Sequence, residues 1–187
     1  MANVPIMFQP LVKYVDFQGR ARRSEFWLWT LFQFILFSVA NAVLFSTMPH
    51  MSPSGDPSQF MTHFMRFSPI VNLLQLVLFL PSLAVQVRRL HDTNRTGWWI
   101  LMPAGVFFAG LILFLITNMS KFMALAKSGA NSDPSQFLSI IGTAFLFIWL
   151  PTIAASIVVF VFLVLDGTPG GNRFGADPKG RGNINVF

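Results

Sequence analysis

The residues able to do chemistry fall in three short polar segments. The first is Gly19-Arg20-Ala21-Arg22-Arg23-Ser24-Glu25-Phe26-Trp27. The second is Arg88-Arg89-Leu90-His91-Asp92-Thr93-Asn94-Arg95-Thr96-Gly97-Trp98-Trp99. The third runs from Asp166 to Pro178 and carries Gly170, Gly171, Asn172, Arg173, Phe174, Gly175 and Asp177. His91, Asp92, Asp166 and Asp177 are the types that hold a divalent ion. No second histidine stands at ligand spacing, His50 and His63 belong to the opposite face, and cysteine is absent, so no metal is expected. The glycines of the third segment lack the Gly-Lys-Ser/Thr of a phosphate loop and any Gly-x-Gly-x-x-Gly after a strand. A hydrolase would need Ser24 or Thr96 served by His91, and adjacent His91 and Asp92 are poorly placed for a side-chain relay. Neither a catalytic residue nor a cofactor is expected.

Two readings of the segments remain. In the structural one, Arg88, Arg89 and His91 pair with Glu25, Asp92 or Asp166 and lock helix ends together, while the charges set topology. In the binding one, arginines beside tryptophan face a phosphate-bearing ligand, either anionic lipid headgroups or a small anion. The candidates for that contact are Arg20, Arg23, Glu25, Arg88, Arg89, His91, Asp92, Arg95, Asn172 and Arg173.

The elements that carry these segments follow from composition. Of 187 residues, 53% are apolar and 11% charged, and the mean hydropathy is +0.59. A soluble domain has about 25% charged residues, so this chain cannot wet a globular surface. Soluble enzymes, disordered tails and disulfide scaffolds are excluded. Four apolar stretches, 26–47, 68–87, 98–118 and 137–165, are long enough to cross a bilayer. Backbone groups in lipid must be satisfied internally, which makes the spans helical. The expected fold class is all-α: a polytopic membrane protein, a bundle of four transmembrane helices in one domain, residues 1–187. Pro151 lies inside the fourth stretch, which reads as one long, tilted, kinked helix. Ala40-Asn41-Ala42 resembles a signal-peptide cleavage site, but the apolar run continues through Phe45, so the first span is expected to be retained.

Ten of the thirteen Lys and Arg fall in segments 1–25, 88–97 and 166–187, against Arg66, Lys121 and Lys127 in the other two loops. That bias places both termini in the cytoplasm. Trp27, Trp29, Trp98 and Trp99 mark the same boundary. The net charge of +6 lies in short segments at a bilayer surface, which offer no groove-reading element, so nucleic acid is not an expected partner. Val4–Phe17 reads as a short interfacial helix limited by Pro5 and Pro10. Met48–Phe67 and Met119–Gln136 read as polar connectors, each containing Asp-Pro-Ser-Gln-Phe, a shared turn and helix start.

No ionisable residue lies within the four stretches, which argues against proton-coupled transport. The amides Asn41, Asn72 and Gln75 fall at similar depth, so a hydrogen bond from Asn41 to Asn72 or Gln75 is expected, either as inter-helix glue or as a polar path. Pro81 and Pro103, also at one level, would open a shallow vestibule if both kink their helices.

The three polar segments also carry a family resemblance. Gly19, Arg20, Arg23, Glu25, Phe26 and Trp27 resemble the entry motif of the DUF805 family of small bacterial inner-membrane proteins. Arg88 to Asp92 followed by Gly97 to Trp99 resembles its middle motif, and Gly167, Thr168, Asn172, Phe174 and Gly175 its tail. The tail departs by one extra glycine and by Phe174 where tyrosine is common. The resemblance implies a multi-pass inner-membrane fold and no defined biochemical role. The expected function is therefore a non-enzymatic component of the bacterial cytoplasmic membrane. Its Arg/His/Asp rim would lock helix ends and bind an anionic lipid, a small ligand or a partner protein, including a second copy. A small-solute channel or transporter lined by amides is the alternative, and an enzyme acting on lipid headgroups through His91 comes third.

Overall fold

The computed structural model describes residues 4–47, 57–128 and 134–181. A 3-10 turn, Ile6–Phe8, leads into the short α1, Gln9–Val12. Then follow α2 (Arg23–Ser46) and α3 (Pro57–Asp92). A second 3-10 turn, Gly97–Leu101, opens onto α4 (Met102–Ser128). The last helical run is α5 (Pro134–Ala144), a π-helical turn (Phe145–Trp149) and α6 (Leu150–Val164). Among the described residues no strand forms, and one isolated bridge joins Asn172 to Gly175.

Four helices are long and apolar enough to cross a membrane: Arg23–Ser46, Phe64–Asp92, Gly97–Lys127 and Ser135–Val164. Their surfaces suit lipid: Phe34, Val39, Leu73, Ile116 and Leu138 are all more than half exposed. Apolar surface on that scale has no place in water.

The connectors are shorter than expected. α3 already begins at Pro57, α4 runs on to Ser128, and α5 begins at Pro134, so much of 48–67 and 119–136 is helix. Polar composition there marks distance from lipid, not loss of helix. Both copies of the repeated pentapeptide place their proline at the first helical position, where a missing N–H costs nothing. Asp56 and Asp133, which precede those prolines, and His50 lie outside the described residues.

The chain divides into two compact units, residues 1–94 with 166–187, and residues 95–165. In the first, Pro5 and Pro10 confine the N-terminal helix to a turn or two, as their positions demand. Phe8 meets Phe32 edge-on at 5.4 Å. Trp29, Ala84 and Val85 are fully buried. Ser82 Oγ accepts hydrogen bonds from Trp29 Nε1 (3.1 Å) and Gln33 Nε2 (2.7 Å) and donates to Leu78 O, tying α2 to α3. Pro81, inside α3, has no N–H to offer Val77 O, and the Tyr14 hydroxyl donates to that carbonyl instead.

In the second unit, Asn118 is fully buried and accepts a hydrogen bond from Thr143 Oγ1 at 3.0 Å, joining α4 to α5. The device at Pro151 is the π-helical turn just before it. Phe147 O, a carbonyl of this turn, faces Gly110 so closely that any side chain at 110 would overlap it. Pro103, by contrast, is the second residue of α4. A proline there opens a helix instead of bending one, so the expected pair of kinks at one level is not formed.

Candidate functional site

The C-terminus of α3 is the organising feature of the first unit. The last turn of any helix leaves carbonyls without intrahelical donors and carries the negative end of the helix dipole. Here those carbonyls are taken up by distant segments. Arg88 O accepts from Ala21 N at 3.0 Å, and His91 O from Asn172 Nδ2 at 2.9 Å. Asp92 O accepts from Thr168 N at 2.9 Å and from the Thr168 hydroxyl at 3.3 Å. Leu90 O is met locally by Thr93, through both its N–H and its hydroxyl. Asn94 then leaves the helix with φ of 59°, a left-handed cap that asparagine tolerates.

Charge completes the arrangement. Asp92 is 1% exposed and receives Arg20 Nε at 2.9 Å on one oxygen and Arg89 Nη1 on the other. Arg20 reaches further: Nη1 donates to Gly170 O at 2.7 Å and Nη2 to Thr168 O at 2.6 Å. One guanidinium thus joins the segment leading into α2, the end of α3 and the C-terminal tail. Its planar fork of donors suits that task, and a lysine could not span it. Arg88, fully buried, forms an ion pair with Glu25 at 3.1 Å, and its Nη1 has no hydrogen-bond partner among the described residues. Two cations around one carboxylate, and a second pair beside it, keep this desolvated charge compensated.

His91 does not pair with a carboxylate as expected. Its Nδ1 lies 3.1 Å from Gly19 O, and its ring stacks on Phe174 at 3.9 Å with planes 3° apart. The reason is reach: the two arginines already occupy both oxygens of Asp92, and Asp166 is drawn outward to Arg23 (3.1 Å) and Lys179 (3.2 Å). Those two partners hold Asp166 below its ordinary value, the Lys179 hydrogen bond first. Asn172 bridges His91 O and Thr168 Oγ1, and its own oxygen accepts Phe174 N, which fixes the tail turn under the histidine. Arg173 donates to Asn94 O at 3.1 Å. Asp177 takes the backbone N–H of Lys179 and the side chain of Arg181, and is held at about 2 by these, the Lys179 N–H foremost.

Nine of the ten rim candidates, Arg20, Arg23, Glu25, Arg88, Arg89, His91, Asp92, Asn172 and Arg173, therefore lie in this one neighbourhood. Arg95 belongs to the second unit, where its guanidinium lies over the Phe162 ring at 3.9 Å. The intramembrane amides do not meet. Asn41 Nδ2 donates to Phe37 O of its own helix at 2.7 Å, while Asn72 and Gln75 lie on an exposed face of α3. An amide satisfied by the carbonyl four residues back needs no partner across the interface. Among the described residues, polar ties between helices inside the spans include Trp29 and Gln33 to Ser82, and Asn118 to Thr143. Trp29 and Gln33 stand four apart, one helix face, which was a usable signal in the sequence. The signal for Tyr14 is the chain's single tyrosine lying close in sequence to Lys13 and Asp16, and it says nothing of Val77.

Comparison with known proteins bears directly on these residues. The family described as "Protein of unknown function (DUF805)" matches residues 14–176. The chain belongs to the DUF805 family. That DUF805 match runs from Tyr14 through the Arg20–Asp92 cluster to the glycine turn of the tail, and stops one residue short of Asp177. Among its relatives are the inner membrane proteins YhaH and YhaI of Escherichia coli K12, each 31% identical. The alignments span 90% of this chain and 92% and 91% of those proteins respectively. No solved structure matches the chain.

Proposed function

We propose that this DUF805 protein is a non-enzymatic component of the bacterial inner membrane with both termini in the cytoplasm. In this reading its buried Arg–Asp–Glu cluster is a lock on helix ends and tail, and its outward basic residues contact anionic phospholipid headgroups. The observation that carries the lock is Arg20, whose side chain is 1% exposed while it bonds Asp92 and two tail carbonyls. Buried and partnered, Arg20, Arg89 and Asp92 leave no face for a ligand. Arg22, Arg173 and Lys179 are exposed at the same end. The concentration of ten of thirteen basic residues near that end supports a cytoplasmic placement. A solute path through Asn41, Asn72 and Gln75 draws no support from their positions.

Two measurements separate the parts of this reading. Asp92→Asn and Arg20→Gln should each lower unfolding stability by about 3–5 kcal/mol, the cost of a buried charge left without its partner. Replacing Arg22, Arg173 and Lys179 together with glutamine should change stability by under about 1 kcal/mol. The same triple variant should retain less phosphatidylglycerol in native mass spectra than wild type, by the share bound at these residues. Undiminished retention removes the lipid contact, and an unaltered melting curve for Asp92→Asn removes the lock. Because the chain has no cysteine, a single cysteine at position 94 reports orientation, and its labelling by an impermeant reagent from outside intact cells would reverse the topology.

A further inference from the structure

A cavity of about 440 Å³ lies within the second unit, between the end of α4 and the start of α5. Ser120, Lys121 and Ala124 line it from α4, and Ser135, Gln136 and Ser139 from α5. Small-molecule sites occupy roughly 300–1,000 Å³, so the space suits a compact polar ligand. Along α4, Lys121 lies about 30 Å from the Trp98-Trp99 pair, one hydrocarbon thickness, which puts the cavity at the depth of lipid headgroups.

Its donors and acceptors describe the ligand. The Lys121 ammonium has three N–H donors, and the bond to Ser139 Oγ at 2.6 Å uses one. Three serine hydroxyls and, among the described residues, no carboxylate share the wall with it. Gln136 Oε1 is buried and has no hydrogen-bond partner among the described residues. A cation with hydroxyls selects an oxyanion, while a buried acceptor without a donor calls for a ligand donor, which a hydroxyl supplies without bringing a second cation beside Lys121. A phosphodiester without a further hydroxyl, fully ionised at neutral pH, meets the first demand alone. We propose that the cavity binds a phosphoester whose organic group carries a hydroxyl. The phosphate oxygens would lie on Lys121 and the serines, and the hydroxyl would donate to Gln136 Oε1. Such chemistry comes either from a glycerol-type lipid headgroup or from a soluble glycerol phosphate.

The test is native mass spectrometry of the full chain in mixed micelles, in the Arg22/Arg173/Lys179→Gln background so that the exposed basic residues of the first unit contribute nothing. Phosphatidylglycerol is compared with phosphatidylethanol, a phosphodiester of equal charge without headgroup hydroxyls. Phosphatidylglycerol should be retained about tenfold better, the value of one good hydrogen bond to a buried acceptor. Lys121→Gln should lose both lipids, and Gln136→Met should bring phosphatidylglycerol down to the phosphatidylethanol level. Ala124→Leu, which narrows the space and leaves every polar group in place, should weaken retention of both while melting like its parent. Soluble glycerol phosphate that displaces the lipid in a Lys121-dependent way identifies the free ester as the source. Failure to displace it identifies the headgroup. Retention of phosphatidylglycerol by Lys121→Gln and Ala124→Leu at the parent's level overturns the proposal, as does equal retention of the two lipids by the parent.

Discussion

Gly167 lies against the Asp92 carboxylate, and a side-chain carbon at position 167 would overlap both Oδ2 and Cγ. The carboxylate cannot retreat, because Arg20 and Arg89 hold its two oxygens. Gly167→Ala should therefore cost about 3 kcal/mol in a denaturation experiment, through crowding and a disturbed buried ion pair together. Gly105→Ala and Gly142→Ala are the controls. Nothing lies within 4 Å of a Cβ at either position, and both are in helices, so each should be neutral or stabilise by up to about 1 kcal/mol.

The bond from Tyr14 to Val77 O exists because Pro81 supplies no N–H to that carbonyl. Tyr14→Phe should destabilise by about 1 kcal/mol, since a carbonyl at this depth has no water to turn to. In a Pro81→Ala background the helix provides its own donor, and the same change should cost nearly nothing. A double-mutant cycle of melting free energies with no coupling between the two positions would refute the link.

Phe147 O meets Gly110 in the same way that Asp92 meets Gly167, but the obstacle is backbone. Gly110→Ala should cost about 2–3 kcal/mol and shift near-ultraviolet circular dichroism from the aromatic Phe145–Trp149 turn. A variant of wild-type stability would show that α4 and the π-helical turn are not in contact in the membrane.

Asp177 titrates at about 2, below the ordinary 3.8, because the Lys179 N–H and the Arg181 side chain favour its ionised form. A depressed carboxylate contributes its full stability above about pH 4 and loses it as the pH falls toward 2. Wild type should therefore exceed Asp177→Asn in stability by a constant margin from pH 7 to about 5, and the two should converge on further acidification. A margin that grows at low pH would contradict the assignment.

Composition alone settled that this is a four-span membrane protein, because 53% apolar residues in runs of twenty leave the backbone no other way to be satisfied. The pairing of arginines with carboxylates was legible for the same reason, since charge beside lipid must be compensated. Which partner each charge takes was not. His91 meets Gly19 O and Phe174, and Arg20 meets a tail turn about 150 residues away. Those choices depend on where the end of α3 presents its open carbonyls, and spacing along the chain carries no record of that. The amides misled because equal depth is necessary for contact and insufficient for it. Asn41 is satisfied by its own helix, and rotation about the helix axis, which only packing determines, left Asn72 and Gln75 exposed. Glycine and proline show the division most clearly. Their positions announced turns and helix starts in the sequence. That Gly167 makes room for a carboxylate, Gly110 for the Phe147 carbonyl, and Tyr14 answers the one Pro81 frees was decided by tertiary structure, because each is a contact between atoms far apart in the chain.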